Sequence, residues 1–292
     1  MTPPLVTIAL PVLNAVDTLA YALHSVEWQT LADWELLILD DGSTDGSIKL
    51  ARKFAAREPR ARVVEQAGEP GLVARLNQAL ELASGSYLAR VDADDVAYPD
   101  RLQRQVDLLE RQSAIDVVGS STLVFRAGGV PIGVRKVPPA HAAICARPHA
   151  GFALFHPTWV ARTHWLRRFR YDPTAVRAED QELLLRAYRT STFANVADVL
   201  VGYREDALRL DASVRGRRSL IRAGARVALE RGDVLGAMRT VGIQAAKGLV
   251  DVAAIGTGMG ATLQRRRGRA HVEPVQFARW RALWSRLEEA AA

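Results

Sequence analysis

Cysteine is nearly absent: Cys145 stands alone, beside three methionines. No intramolecular disulfide can form, and cysteine-rich zinc modules are excluded. A single thiol accords with a reducing compartment. Long apolar runs are also missing, since no uncharged stretch reaches the roughly 18 to 20 residues that a membrane-spanning helix requires. The longest uncharged start, Met1 to Val16, holds Pro3, Pro4, Pro11 and Asn14 with no basic residue before it. It reads as a strand and not as a signal peptide. No internal repeat is present. His141, His149 and His164 lack metal-ligand spacing with a cysteine or an acid, which argues against a zinc site.

What remains is a globular composition of 292 residues, 49% apolar and 24% charged, with 21 Gly and 13 Pro. That suffices for one or two domains with a sizeable core. Charge is unevenly placed. The whole chain has 39 Lys/Arg against 32 Asp/Glu, a net +7, but Arg215 to Ala292 alone has 15 against 6, or +9. Residues 1 to 214 carry 24 against 26, or −2, so the basic character belongs to the C-terminal third. The expected division is a domain over 1–212, split into halves 1–111 and 112–212, and a basic helical extension over 213–292.

The first hundred residues alternate short apolar runs with amphipathic segments, the rhythm of βαβ units. Strands are expected at Leu5–Leu10, Glu35–Leu39, Arg62–Glu65 and Tyr87–Val91. Helices are expected at Asp17–Gln29, after the Ser43-Thr44-Asp45 cluster, and at Leu72–Ala83. Right-handed crossovers make this a parallel, doubly wound sheet. Beyond Arg101 a helix runs to Arg111, then Val117–Phe125 and Val130–Val134 read as strands about the turn Gly128-Gly129. A polar, aromatic segment covers Pro148 to Tyr171, Glu179–Arg189 returns to helix, and Phe193–Val201 supplies one or two late strands. The rest is helical and arginine-rich, interrupted at Gly256–Gly260.

Ligands of such sheets bind beyond the carboxyl ends of the strands. Here those ends are rich in acids: Asp40 and Asp41 after the second strand, and Asp92, Asp94 and Asp95 after the fourth. Carboxylates gathered this closely raise one another's pKa unless a cation neutralises them. Mg2+ or Mn2+, satisfied by one or two carboxylates plus phosphate oxygens, suits the pattern. An isolated acidic turn can equally be a solvated loop or a helix cap.

Four separated segments give this pattern a resemblance. They are Leu10-Pro11-Val12-Leu13-Asn14, Leu39-Asp40-Asp41-Gly42-Ser43-Thr44-Asp45, the Tyr87-to-Asp95 core of Gly85–Gln105, and Ala178-Glu179-Asp180-Gln181-Glu182-Leu183. Across residues 5 to 205 the chain resembles the inverting, nucleotide-sugar-dependent family 2 glycosyltransferases of GT-A fold, of the capsule and surface-polysaccharide type. The fold implied is α/β, a doubly wound, mixed and mostly parallel sheet flanked by helices, with the basic helical extension appended. Implied roles follow the motifs. Pro11 and Asn14 wall the base pocket, and Asp41 or Asp40 accepts the imide N–H of uracil or thymine; Asp41 can otherwise be a turn acid capping the helix after Gly42. Asp92 faces ribose or sugar and, with Asp94, the metal, while Asp95 is either a third ligand or a cap of the next helix. Asp180 is the base, with Glu179 its adjacent substitute. His156, in His-Pro-Thr-Trp, belongs to the acceptor or the diphosphate, or is a structural hydrogen-bonder. Arg204 of the Tyr203-Arg204 pair reaches the diphosphate.

The chain departs from the family at Leu76, where many relatives carry arginine before Asn77. Arg75 lies one residue earlier, about 100° around a helix, which favours an exposed arginine over a nucleotide contact. Arg90 is left open between inward and outward. The implied activity is transfer of a sugar from a nucleoside-diphosphate donor, UDP foremost, to a saccharide acceptor carried on a lipid. The expected location is the cytoplasm, at most peripheral on the inner membrane, with the +9 extension and an apolar face from Leu249 to Leu263 on an anionic leaflet; nucleic acid is disfavoured. Packing of the extension on the catalytic domain is the bland alternative. Two other classes compete. A nucleotidyltransferase-like enzyme calls for a triphosphate loop rich in glycine and basic residues after the first strand, and Pro11–Asn14 lacks both; a non-catalytic basic membrane- or nucleic-acid-binding protein has no need of Asp94 or Asp180. Gly256–Gly260 has no strand before it and the wrong glycine order for a dinucleotide loop.

Overall fold

A computed structural model describes residues 3–66, 68–205, 210–257 and 269–291. The chain begins with β1 (Val6–Val12), α1 (Leu19–Glu27), β2 (Trp34–Asp40), α2 (Ser47–Arg57), β3 (Ala61–Val64), α3 (Leu72–Leu82) and β4 (Tyr87–Arg90). Strands β3, β2, β1 and β4 lie side by side in parallel. Central parallel strands are covered on both faces, so they read as apolar runs whose alternate residues enter different layers. Ile8, Leu10, Leu36 and Ile38 pack with Leu23 of α1 and Phe54 of α2, whereas Ala9, Leu37 and Leu39 pack with Leu76 and Leu80 of α3. Pro11 is tolerated inside β1 because pairing with β4 ends at Ala9, leaving no ladder bond for the missing N–H to break.

The second half of the sheet is mixed in direction. It comprises β5 (Val96–Ala97), α4 (Arg101–Arg111), β6 (Val117–Arg126), β7 (Val130–Arg135), α5 (His141–Ile144), β8 (Val160–Arg162), α6 (Thr163–Phe169), α7 (Glu179–Ala187) and β9 (Phe193–Arg204). The main path of the sheet is β10-β7-β6-β8-β4-β1-β2-β3, where β10 is Arg269–Ala270, and β9 pairs with β5 and β6. The segment Pro148–Tyr171, read from sequence only as polar and aromatic, holds the strand β8 that joins the two halves, antiparallel to both β4 and β6. The late strand region is one strand, running to Arg204 and bulged against β6.

The C-terminal third packs back. Helices α8 (Leu210–Glu230) and α9 (Val234–Gly256) form a hairpin that rests on α7 through Val227, with Arg226 pairing Glu182 at 3.0 Å. Helix α10 (Pro274–Ala291) lays Trp280, Trp284 and Leu287 over Tyr98, Leu123 and Phe125. Two glycines make room for it. A Cβ at Gly202 would stand 2.4 Å from the Trp280 ring, and one at Gly129, at φ +69°, 2.3 Å from Trp284. Of the expected interruption at Gly256–Gly260, Gly256 closes α9 and residues 258–260 lie outside the described residues, as do Leu263 and Arg265–Gly268.

Candidate active site

The ends of β1 and β2 lie together, with Val12 opposite Asp40. Asn14, in the left-handed region at φ +49°, stitches their loops. Its Oδ1 accepts the Thr44 N–H at 2.9 Å and its own N–H donates to Ser43 Oγ at 3.1 Å. Asparagine visits that conformation more readily than most residues. The neighbouring acids divide the work. Asp40 is buried and accepts the Gly42 and Ser43 N–H groups, each at 3.1 Å, so it is the turn acid. Asp41 points across to the start of α3, where both its oxygens accept the Gly71 N–H, at 2.8 and 2.9 Å.

Arg75 corrects the expectation of an exposed arginine. It is 1% exposed, its Nε lies 3.6 Å from Asp41, and it donates to the Glu69 carbonyl at 3.1 Å. The guanidinium is drawn inward by the Glu69 carbonyl of the loop before α3 and by the Asp41 carboxylate after β2. Arg75 therefore stands behind the carboxylate thought to meet the base.

Beyond β4 the acids crowd. One oxygen each from Asp92, Asp94 and Asp95 lies within 4.8 Å of the others. Asp94 opens to solvent, yet the surrounding protein and then the Asp92 carboxylate push its carboxyl up to about 6. Asp95 is buried, its Oδ1 accepts the Arg204 N–H at 2.9 Å, and its Oδ2 has no hydrogen-bond partner. Burial, Asp92 and Asp94 together raise its pKa well above the ordinary range. Asp95 thus does not cap α4; it anchors the end of β9 to the cluster. Hard oxygen donors, raised carboxyl pKa values and one orphaned buried oxygen fit a divalent cation such as Mg2+ or Mn2+.

Arg90 settles inward. It is buried and its guanidinium lies 2.5 Å from Asp92, while Arg101, also buried, donates to the Arg90 carbonyl at 2.7 Å. On the far side α7 begins with Glu179 and Asp180. Burial and then Asp180 push the Glu179 carboxyl up to about 7. Its Oε1 faces His156 Nδ1 at 3.9 Å, and His156 Nε2 lies 2.8 Å from the Tyr171 hydroxyl. Burial and then Arg90 hold His156 well below its ordinary pKa, so the ring is neutral at pH 7. Tyr171 is buried, and Arg90, Glu179, Asp180 and Asp92 all bear on its hydroxyl. The acidic cluster and the Glu179–Asp180 pair are therefore parts of one electrostatic neighbourhood.

Asp180 is half-buried and opens into a cavity of about 150 Å³ that it lines with Thr122, Arg135, Phe155, His156 and Tyr203. Arg135 is paired with Glu205. Arg204 lies at the cluster's edge, its Nε 3.3 Å from the Asp94 carbonyl and its guanidinium 5.0 Å from the Phe125 ring. Arg135, Thr122 and Tyr171 escaped the reading of the sequence. None stands in a motif, and Arg135 and Tyr203 reach the cavity only because β7 and β9 both pair with β6.

Known proteins match this architecture. The family model described as Glycosyl transferase family 2 covers residues 7–176. EpsE of Bacillus subtilis (strain 168), assigned as a glycosyltransferase, is 34% identical over 210 residues, which are 70% of this chain and 74% of EpsE. S. aureus TarS 1-349 in complex with UDP superposes with a TM-score of 0.62 at 17% identity, covering 98% of this chain and 80% of that one. Glucosyl-3-phosphoglycerate synthase from Mycobacterium tuberculosis, in complex with Mn2+, UDP and glucosyl-3-phosphoglycerate, gives 0.55 at 23% identity, covering 75% and 80%. The likeness is one of fold: an α/β architecture with a mixed, mostly parallel sheet flanked by helices, as in GT-A glycosyltransferases such as TarS. With more than half its length inside the family model, the chain belongs to glycosyl transferase family 2 and is a glycosyltransferase.

Proposed function

We propose that the enzyme moves one sugar, with inversion at the anomeric carbon, from a UDP-sugar to a saccharide acceptor carried on a lipid during surface-polysaccharide assembly. The observation that carries this reading is the meeting of Asp92, Asp94 and Asp95 with the Glu179–Asp180 pair about Tyr171 and Arg90. UDP in the TarS and synthase complexes supports the donor, and Mn2+ in the latter supports the metal. The polysaccharide setting follows the motif resemblance.

In this reading Pro11 and Asn14 wall the base pocket and Asp41 accepts the imide N–H of uracil, with the Arg75 Nε 3.6 Å from its carboxylate. Asp92 meets the ribose or the donor sugar, Arg204 the diphosphate. Asp94 and Asp92 would hold Mg2+ or Mn2+, with the orphaned Asp95 oxygen beside them; a bound cation supplies positive charge against the departing diphosphate. Asp180, facing the cavity, takes the acceptor hydroxyl proton as the oxygen attacks from the face opposite the diphosphate. Glu179 stays buried behind it, and neutral His156 offers a hydrogen bond on the acceptor side. Among the described residues no helix is long and apolar enough to cross a membrane. A lipid-borne acceptor then implies work at the cytoplasmic face of the membrane.

The test is a thermal-shift measurement with UDP and Mn2+. Stabilisation should vanish with chelator and with Asp94→Ala, since only a ligand bound to the native state raises the melting temperature. Product anomers read by NMR should show inversion. A melting temperature indifferent to every nucleoside diphosphate, or retention at the anomeric carbon, would overturn the proposal.

A further inference from the structure

Helix α9 presents an outward face that none of the described residues covers. Its inner side is engaged: Thr240 Oγ1 lies 3.0 Å from His149 Nδ1, Gln244 donates to the His149 carbonyl at 3.0 Å, and Arg217 of α8 reaches Gln244 and Asp251. The remaining half of the circumference is apolar. Val234, Leu235, Met238, Val241, Leu249 and Val250 are exposed there, Met238 by 65% and Leu249 by 73%. At 100° per residue these positions fall within one arc of about 180°. Arg239 stands at its margin, and α8 beside it exposes Arg218 and Arg222.

We infer that this face of α9, flanked by the arginines of α8, is a docking surface for an anionic phospholipid leaflet. Apolar side chains on one face with basic residues at its border describe an interfacial helix, which lies in the headgroup region without spanning. Charge favours the leaflet over a second copy of the chain. A two-fold contact would bring two copies of the same arginine-bordered face, and so only like charge, into one interface, whereas anionic headgroups neutralise the arginines. The wider segment agrees, since residues 215–292 carry +9. Docking also sets the site's orientation. The loop that α9 grips through His149 and Ala150 continues to Phe152, whose N–H donates to Gln181 beside Asp180 at 2.9 Å. The base would lie beyond the docked helix and one loop, on the inner side of α9, within reach of an amphiphilic acceptor carried by that membrane.

This deepens the reading of a lipid-borne acceptor, but it is tested with neither donor nor acceptor present, so binding can fail while transferase activity stands. The full chain is floated with phosphatidylcholine vesicles containing 30 mol% phosphatidylglycerol, as an example of a moderate anionic fraction at about physiological salt. It should float with these and not with pure phosphatidylcholine. Replacing Arg218, Arg222 and Arg239 by Gln should lower the partition coefficient on the order of a hundredfold, about fivefold for each charge. Met238→Gln with Leu249→Gln should lower it at least tenfold, with the melting temperature and the UDP/Mn2+ response unchanged. Equal binding to neutral vesicles, or variants that float like the wild type, would overturn the inference. So would a wild-type dimer in light scattering that Leu249→Gln dissociates while flotation is unaltered, because the face would then belong to a second copy.

Discussion

Replacing Glu179 by glutamine removes one charge-bearing group and leaves its shape. In the native protein this carboxyl is buried at the first turn of α7, facing neutral His156, and burial and then Asp180 lift it to about 7 from an ordinary 4.5. Ionising it inside the fold therefore costs about 3 kcal/mol more than in the unfolded chain. Because the folded value is the higher one, the stability it contributes is whole below about pH 4.5 and is lost as the pH rises through about 7. Between pH 5 and pH 8, urea unfolding of the metal-free protein in chelator should lose about 2 to 3 kcal/mol that the Glu179→Gln variant keeps. Other acids with raised values, Asp94 and Asp95, titrate in both proteins and cancel in the comparison. Equal losses in the two proteins, or a variant weakened at pH 8, would refute the account of a carboxyl held neutral by its surroundings.

Other consequences are as concrete. Mn2+ must displace a proton from Asp94, whose carboxyl is pushed up to about 6, so calorimetric affinity should fall about tenfold per pH unit below 6; an affinity flat from about pH 5 to about pH 7.5 would count against Asp94 as a ligand. Asp180→Asn should lower kcat by about 10²- to 10⁴-fold with UDP affinity intact, and activity within tenfold of wild type would remove it as the base. Trp280 is fully buried, donates to the Gly129 carbonyl at 2.7 Å and lies 4.7 Å from the Phe125 ring. Trp280→Ala should destabilise by about 3–5 kcal/mol in urea unfolding, and a loss below about 1 kcal/mol would mean that α10 is dispensable to the core.

The first four strands were legible because each is a short parallel run with its own apolar signature, buried in β1, β2 and β4 and partly exposed in the edge strand β3, and because the ends of β2 and β4 carry the acids that the site uses. Strand β8 was not, since three residues, Val160–Arg162, hold the centre of the sheet by pairing on both sides, and local periodicity carries no trace of a partner. The same limit applied to neighbours in sequence. Nothing in Asp40-Asp41 tells which carboxylate closes the turn and which reaches Gly71 and Arg75; only the path of the loop before α3 decides it. Arg135 and Tyr203 meet in one cavity through pairings across β6 that no spacing announces.

The aromatic roof laid down by α10 bears on how the protein is made. Trp280 bonds to a carbonyl 151 residues earlier in the chain and shields Tyr98 and Phe125. During synthesis the parallel half of the sheet can leave the ribosome and close around its own helices, while those two rings wait exposed. For that interval the nascent protein displays an adhesive patch, and holdase chaperones, or rapid emergence of α10, become conditions for a good yield.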